Sequence, residues 1–91
     1  MMLRIEQISE SSGTTLMLIG RISSPDVQVL KARIAETTDP VALDLREVGL
    51  VDLDAARYLA ATERHGIELR HLSPYVREWV LLERLRLGDL E

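Results

Sequence analysis

Asp52 and Asp54 flank Leu53, and their types and spacing make them the strongest candidates for a functional site. The residues that follow take up helical spacing: Ala55, Ala56, Leu59 and Ala60. The acidic pair is therefore predicted at a helix N-terminus, where a carboxylate accepts unpaired amide hydrogens and meets the positive end of the helix dipole. The interpretation that follows from this position is a helix cap. Two such carboxylates do not guarantee enough oxygen ligands for a divalent cation, so no metal site is predicted.

Leu53 has little room to be buried, because it lies between two carboxylates at the start of the predicted helix. An exposed leucine there is either a contact residue for a partner or one of the scattered surface leucines that soluble proteins commonly carry. No serine or threonine lies between Gly49 and Ala61. This segment therefore has no aliphatic hydroxyl that could accept a phosphoryl group.

The preceding segment must position the acidic pair. Val41 to Leu45 is an apolar run with one aspartate, which predicts a strand buried on both faces, as parallel strands usually are. A short loop is expected to follow it. The helix is then predicted from about residue 54 to residue 65, and Gly66 is expected to end it in a left-handed conformation.

The other segments predict the elements around this unit. Residues 2–8 and 14–21 alternate as two strands of an antiparallel hairpin. Ser24, Pro25 and Asp26 predict a helix start, with Ser24 as the cap. Residues 67–72 predict a fourth strand, and residues 74–87 a third helix.

The predicted fold class is α/β, with an N-terminal β-hairpin followed by βαβαβα units. A mixed central sheet of four or five strands and three main helices are expected. Residues 1–88 are predicted to form a single domain, followed by a short tail at residues 89–91.

The third predicted helix carries a wider apolar surface than one buried stripe requires. Val76, Trp79 and Val80 form one line, and further leucines widen it: Leu81, Leu82 and Leu85. One interpretation is that this helix covers the edge of a small core, which Trp79 would anchor as its large aromatic residue. The other is a homodimer or partner contact centred on Trp79, Leu82 and Leu85, because aromatic anchors often dominate binding.

Composition limits the remaining function classes. The 91 residues suit one compact domain, and the absence of cysteine excludes disulfides and thiolate metal ligands. The N-terminus lacks an apolar block, so we expect a cytoplasmic protein with no signal peptide and no direct membrane insertion. A net charge of -4 argues against nucleic-acid binding. No nucleophile elbow, phosphate-binding glycine loop or zinc pattern is present, so neither an enzyme nor a cofactor is predicted.

Four motifs follow one another in a recognisable order. Residues 16–22 carry Leu-x-Leu-x-Gly-x-Ile, residues 41–45 read Val-Ala-Leu-Asp-Leu, residues 52–55 read Asp-Leu-Asp-Ala, and residues 73–76 read Ser-Pro-Tyr-Val. In this order and spacing they resemble the STAS domains, the group that includes bacterial anti-sigma factor antagonists. Phosphoregulated members of that group read Asp-Ser-Ser-Gly or Asp-Ser-Thr-Gly at the third motif, and the first serine accepts the phosphate. Here Leu53 stands at that position.

The resemblance implies a non-catalytic protein-protein interaction module that takes part in the regulation of transcription in a bacterium. The expected partner is a regulatory protein such as an anti-sigma factor or a kinase, bound without a phosphorylation switch. The residues expected at the partner-binding surface are Ser24, Asp52, Leu53, Asp54, Ala55 and Arg57. An alternative is an accessory STAS subunit of an ABC-type lipid or anion transporter, which would bind the transporter ATPase through the third helix.

Overall fold

The computed structural model describes residues 3–37 and 40–89. These residues form four strands and three helices, in the order β1 (Leu3–Glu10), β2 (Gly13–Ile22), α1 (Ser24–Ala35), β3 (Val41–Val51), α2 (Leu53–Arg64), β4 (Glu68–Arg70) and α3 (Pro74–Asp89). The predicted element order is confirmed. α3 continues two residues beyond its predicted end at residue 87, and residues 90 and 91 of the predicted tail lie outside the described residues.

The sheet has the strand order β1-β2-β3-β4 and is mixed, as predicted. β1 pairs antiparallel with β2, whereas β2, β3 and β4 are parallel neighbours. The β2–α1–β3 and β3–α2–β4 crossovers both lead in the same direction across the sheet. Right-handed connections therefore place α1 and α2 on one face of it. α3 packs against α2 on that same side.

The core lies between this face of the sheet and the helices. Its largest fully buried side chains are Leu16, Leu18, Ile22, Leu30, Leu43, Leu45, Leu59 and Val76. Three alanines of α2 are fully buried along its inner side: Ala55, Ala56 and Ala60. Small side chains at these positions let the α2 backbone lie close to the sheet.

The predicted loop after residue 45 is wrong, because β3 continues to Val51. Leu45, Val48 and Val51 are all buried although they are spaced three residues apart, whereas a regular strand alternates every two residues. Two irregularities in the β2–β3 pairing explain this three-residue spacing, one between Met17 and Ile19 and one between Gly20 and Arg21. Each inserts an extra residue into β3, so the third residue returns to the core side.

The start of α1 differs by one residue from the prediction. Ser23, not Ser24, is the N-cap, and Pro25 lies within the first turn. The buried Asp26 carboxylate accepts hydrogen bonds from the Ser23 backbone N–H and from its hydroxyl, both at 2.9 Å. Ser24 is therefore the first helical residue, and its side chain is free to point toward α2.

α3 also differs from its prediction. Val76, Val80 and Glu83 form its buried line, while Trp79 is 37% exposed and does not anchor the core. Helical geometry explains the difference, because residues at i, i+4 and i+7 share one face and Trp79 lies beside that face. Gly66, which follows the C-terminus of α2, has φ 95°, the left-handed conformation predicted for it.

Candidate functional site

The N-termini of α1 and α2 meet at the carboxyl edge of the parallel strands. β2 ends at Ile22 and β3 at Val51, and these two residues are paired in the sheet. The Asp52 backbone N–H donates to the Ile22 carbonyl at 3.2 Å, so the chain turns into α2 directly beside the start of α1. We call the exposed residues gathered here the helix-tip surface: Ser24, Leu50, Asp52, Leu53 and Asp54.

Asp52 caps both helices with one carboxylate. Its Oδ1 accepts a hydrogen bond from the Ala55 backbone N–H of α2 at 2.9 Å. Its Oδ2 accepts from the Ser24 backbone N–H, in the first turn of α1, at 2.7 Å. The first amides of a helix have no partner within the helix, so a single side chain satisfies one such donor in each helix. The predicted capping role of the acidic pair therefore belongs to Asp52.

Asp54 joins the same cluster from the first turn of α2. Its Oδ2 accepts a hydrogen bond from the Ser24 hydroxyl at 2.6 Å. Ser24 thus binds both carboxylates, one through its backbone and one through its side chain. The positive ends of two helix dipoles converge on two acidic side chains here, which is a favourable electrostatic arrangement.

Leu53 is 42% exposed, in agreement with the expectation that it has little room to be buried. Leu50 is 50% exposed and was missed as an individual candidate by sequence reasoning. It pairs with Arg21 after the second irregularity of β3, which turns it away from the core. The sequence shows only an apolar residue near a strand end, and no signal in it indicates the irregularity. The helix-tip surface therefore has two exposed leucines, Leu50 before Asp52 in the sequence and Leu53 after it.

Two residues predicted for this surface occupy other surroundings. Ala55 is fully buried, so its side chain lies beneath the helix-tip surface and offers no contact to a partner. Arg57 is exposed, but its Nε donates to Oε1 of the buried Glu83 at 3.1 Å. Arg57 therefore links α2 to α3, because the buried carboxylate needs a charged partner.

Two cavities in the described part of the chain lie away from the helix-tip surface. A cavity of about 300 Å³ opens near the opposite ends of β2 and β3 and includes Glu10, Thr15 and Arg70 in its lining. A hydrogen bond to Glu68 is the main cause that raises the pKa of Arg70. A second cavity of about 240 Å³ lies between β4 and α3, lined by Leu69, Leu72, Val80, Leu81, Glu63 and Arg77. Neither of these two cavities includes a residue of the helix-tip surface in its lining.

Trp79, Leu82 and Leu85, predicted as a second interface, all lie on the exposed side of α3. Tyr75 is exposed beside them, and its ring meets that of Trp79 edge to face with the ring centroids 6.4 Å apart. Sequence reasoning did not include Tyr75, although its position one turn before Trp79 is a usable signal. α3 therefore buries one line of residues and exposes a second apolar line beside it.

Residues 3–37 and 40–89 contain no group of three or more histidine, cysteine or acidic side chains placed to hold a metal ion. Within the same ranges, every helix is too short or too polar to cross a membrane.

No protein-family model matches this chain, and no curated protein matches it either. A solved structure does: an antisigma-factor antagonist, STAS domain, from Rhodobacter sphaeroides. It has a TM-score of 0.58 and 16% sequence identity, and the match covers 80% of this chain and 94% of that chain. The likeness confirms the predicted fold, a single α/β domain with a mixed four-stranded sheet. At this level of identity it concerns the fold alone.

Proposed function

We propose that this chain is a non-catalytic interaction module that binds a regulatory protein, such as an anti-sigma factor or a kinase, through the helix-tip surface. The fold is shared with an anti-sigma-factor antagonist, and folds of this kind serve as regulatory domains. Because fold does not fix function, the proposal depends on one local observation. That observation is the pair of exposed leucines, Leu50 and Leu53, held beside two rigidly bonded carboxylates.

The composition of this surface suits protein recognition. Leu50 and Leu53 provide apolar area that a partner can exclude from water, and burying such area favours binding. Asp52 and Asp54 provide negative charge that favours a basic partner surface and rejects an acidic one. Their hydrogen bonds to Ser24 and Ala55 hold them in place before binding, so little ordering is needed when the partner arrives.

Binding by this module is not controlled by phosphorylation. Leu53 occupies the position at which the phosphoregulated STAS domains carry the acceptor serine. Ser24 brings a hydroxyl to the surface, but that hydroxyl donates to Asp54 and lies beside Asp52. A phosphoryl group there would place about two additional negative charges against two carboxylates. Binding is therefore constitutive and set by the amount of partner.

Affinity purification tests this proposal. The full chain, carrying a tag, is expressed in its native host, cross-linked and purified, and the bound proteins are identified by mass spectrometry. A regulatory protein of the anti-sigma factor or kinase class is expected. Substituting Leu50→Ala together with Leu53→Ala should lower its recovery by about ten-fold or more, because two contact leucines are truncated. The control is Val29→Ala, which truncates an exposed apolar residue of α1 outside the helix-tip surface.

Two outcomes contradict the proposal. Equal loss of partner in the Val29→Ala control and in the leucine double variant would show that the helix-tip surface is not the contact. Phosphate mapped to Ser24 after incubation with ATP and a kinase of the partner class would show that binding is switched after all.

A second candidate function is the accessory subunit of an ABC-type lipid or anion transporter. The observation in its favour is the exposed apolar line on α3, which includes Trp79, Leu82 and Leu85. In that case the same purification recovers a transporter ATPase. Its recovery is lost when Trp79 and Leu82 are changed to serine, and it is unaffected by the leucine double variant of the helix-tip surface.

A further inference from the structure

The exposed side of α3 combines apolar and charged residues in a regular arrangement. Successive residues of a helix are rotated by about 100°. Tyr75, Trp79, Leu82 and Arg86 therefore follow one line, and Glu78 and Leu85 lie immediately beside it. All six are exposed. We call these six residues the α3 strip.

The charges of the α3 strip are placed symmetrically about its centre. Glu78 precedes Leu82 by four residues and Arg86 follows it by four. The apolar residues repeat this symmetry at a distance of three, with Trp79 before Leu82 and Leu85 after it. A two-fold axis through Leu82 would therefore bring unlike residues of two identical helices together.

Within the described residues, the two charges remain available for such contacts. Glu78 takes part in no ion pair there, whereas Glu83, on the side of α3 that faces α2, pairs with Arg57. Arg86 is 60% exposed, and its only described ion pair, with Glu83, is long at 3.9 Å. Glu83 already has a closer partner in Arg57 at 3.1 Å.

We propose that the α3 strip binds a second copy of this chain, with the two α3 helices antiparallel and crossing at Leu82. In this arrangement Glu78 of each copy meets Arg86 of the other, and Trp79 of each copy packs on Leu85 of the other. Leu82 packs on its own counterpart at the axis. The contact is isologous, so it closes on itself and produces a dimer and no larger assembly.

Charge decides the direction of the helices. In a parallel pair, Glu78 would face Glu78 and Arg86 would face Arg86. Each of these contacts would bring like charges together, and they would repel. The antiparallel pair replaces both repulsions with two attractive pairs at the rim of an apolar centre, the usual anatomy of a specific interface. One helix side from each copy is smaller than a standard interface, so the dimer is weak and its population depends on concentration.

Sedimentation equilibrium of the full chain, from low to high micromolar concentration, measures this association. The wild-type chain is expected to shift from monomer to dimer across that range. Glu78→Arg and Arg86→Glu should each weaken the dimer by about ten-fold or more, since each creates two like-charge contacts. The double variant Glu78→Arg with Arg86→Glu exchanges the two charges and should restore the wild-type dissociation constant to within a few-fold. Circular dichroism of each variant confirms that the chain is folded.

The chain also provides a direct optical readout and a matched control. Trp79 is the single tryptophan and is 37% exposed, so its fluorescence emission should shift to shorter wavelength as the dimer forms. Arg77→Glu makes the same change of charge as Arg86→Glu, but on the flank of α3 beside the second cavity. It should leave both the dissociation constant and the emission shift unchanged.

Three results would overturn the proposal. The first is a wild-type chain that stays monomeric at the highest concentration, which would leave the α3 strip to a different protein. The second is a double variant that associates no better than either single charge reversal. The third is an Arg77→Glu control that weakens association as much as Arg86→Glu does.

Discussion

At the scale of single residues, Asp52 is the most constrained side chain of the helix-tip surface. Each of its two carboxylate oxygens accepts a backbone hydrogen bond, one from α1 and one from α2. Asp54 accepts only the Ser24 hydroxyl. The two aspartates therefore differ in role although they are equivalent by type and nearly so by position. Asp52 caps both helices, whereas Asp54 bonds only a side-chain hydroxyl at the surface.

Substitution of each aspartate should separate these roles. Asp52→Ala removes both caps and is expected to lower the free energy of unfolding by about 2 kcal/mol. Asp52→Asn keeps one acceptor oxygen and should lower it by about 1 kcal/mol. Asp54→Ala should lower it by less than about 1 kcal/mol, because only an exposed hydroxyl loses its partner. Urea unfolding followed by circular dichroism measures all three. A larger loss for Asp54→Ala than for Asp52→Ala would contradict the assignment.

At the scale of elements, α2 and α3 are joined by two ion pairs that differ in how deeply their side chains are buried. Arg57 binds the buried Glu83 at 3.1 Å, and Arg84 binds Glu63 at 2.9 Å where both side chains are partly exposed. The shorter distance does not make the second pair the stronger contributor. Water screens it, whereas the Glu83 carboxylate has lost most of its water and depends on its protein partners.

Double-mutant cycles with alanine should show this difference. The coupling energy between Arg57 and Glu83 is expected to be about 1 kcal/mol, reduced from that of a fully buried pair because the Arg57 side chain is partly exposed. The matched cycle for Arg84 and Glu63 should give about 0.3–0.5 kcal/mol. Both are measured by urea unfolding at low protein concentration, where the chain is monomeric. Equal coupling energies would mean that the burial of Glu83 has no energetic consequence.

At the scale of the whole molecule, stability is concentrated in the two inner strands. β2 and β3 are hydrogen-bonded on both sides and supply five of the largest fully buried side chains: Leu16, Leu18, Ile22, Leu43 and Leu45. β1 and β4 are edge strands, and β4 is only three residues long. The helices cover one face of the sheet, so the cooperative unit is the β2–β3 pair together with α2 above it.

Hydrogen exchange of the native protein should follow this division. The backbone amides of Leu16, Leu18, Leu43 and Leu45 are expected to exchange most slowly, at rates that reflect global unfolding. Amides of β4 should exchange much faster, because a three-residue edge strand opens locally. Mass spectrometry or NMR of the full chain measures these rates. Protection of β4 equal to that of β3 would show that the sheet opens only as a whole.

Local patterns in the sequence were sufficient for the element order, the mixed sheet, the capped start of α2 and the exposure of Leu53. The elements and the cap depend on neighbours within a few residues, through apolar periodicity, capping and the conformational freedom of Gly66. The mixed sheet follows from the connections, because a hairpin joins antiparallel strands and a strand-helix-strand crossover joins parallel ones. Only the tertiary structure decided that β3 reaches Val51, that Leu50 faces outward and that Trp79 lies outside the core. It also brought Ser24 to Asp52 and Asp54, 28 and 30 residues away. These outcomes depend on strand irregularities and on contacts between distant segments, which leave no periodic mark in the sequence.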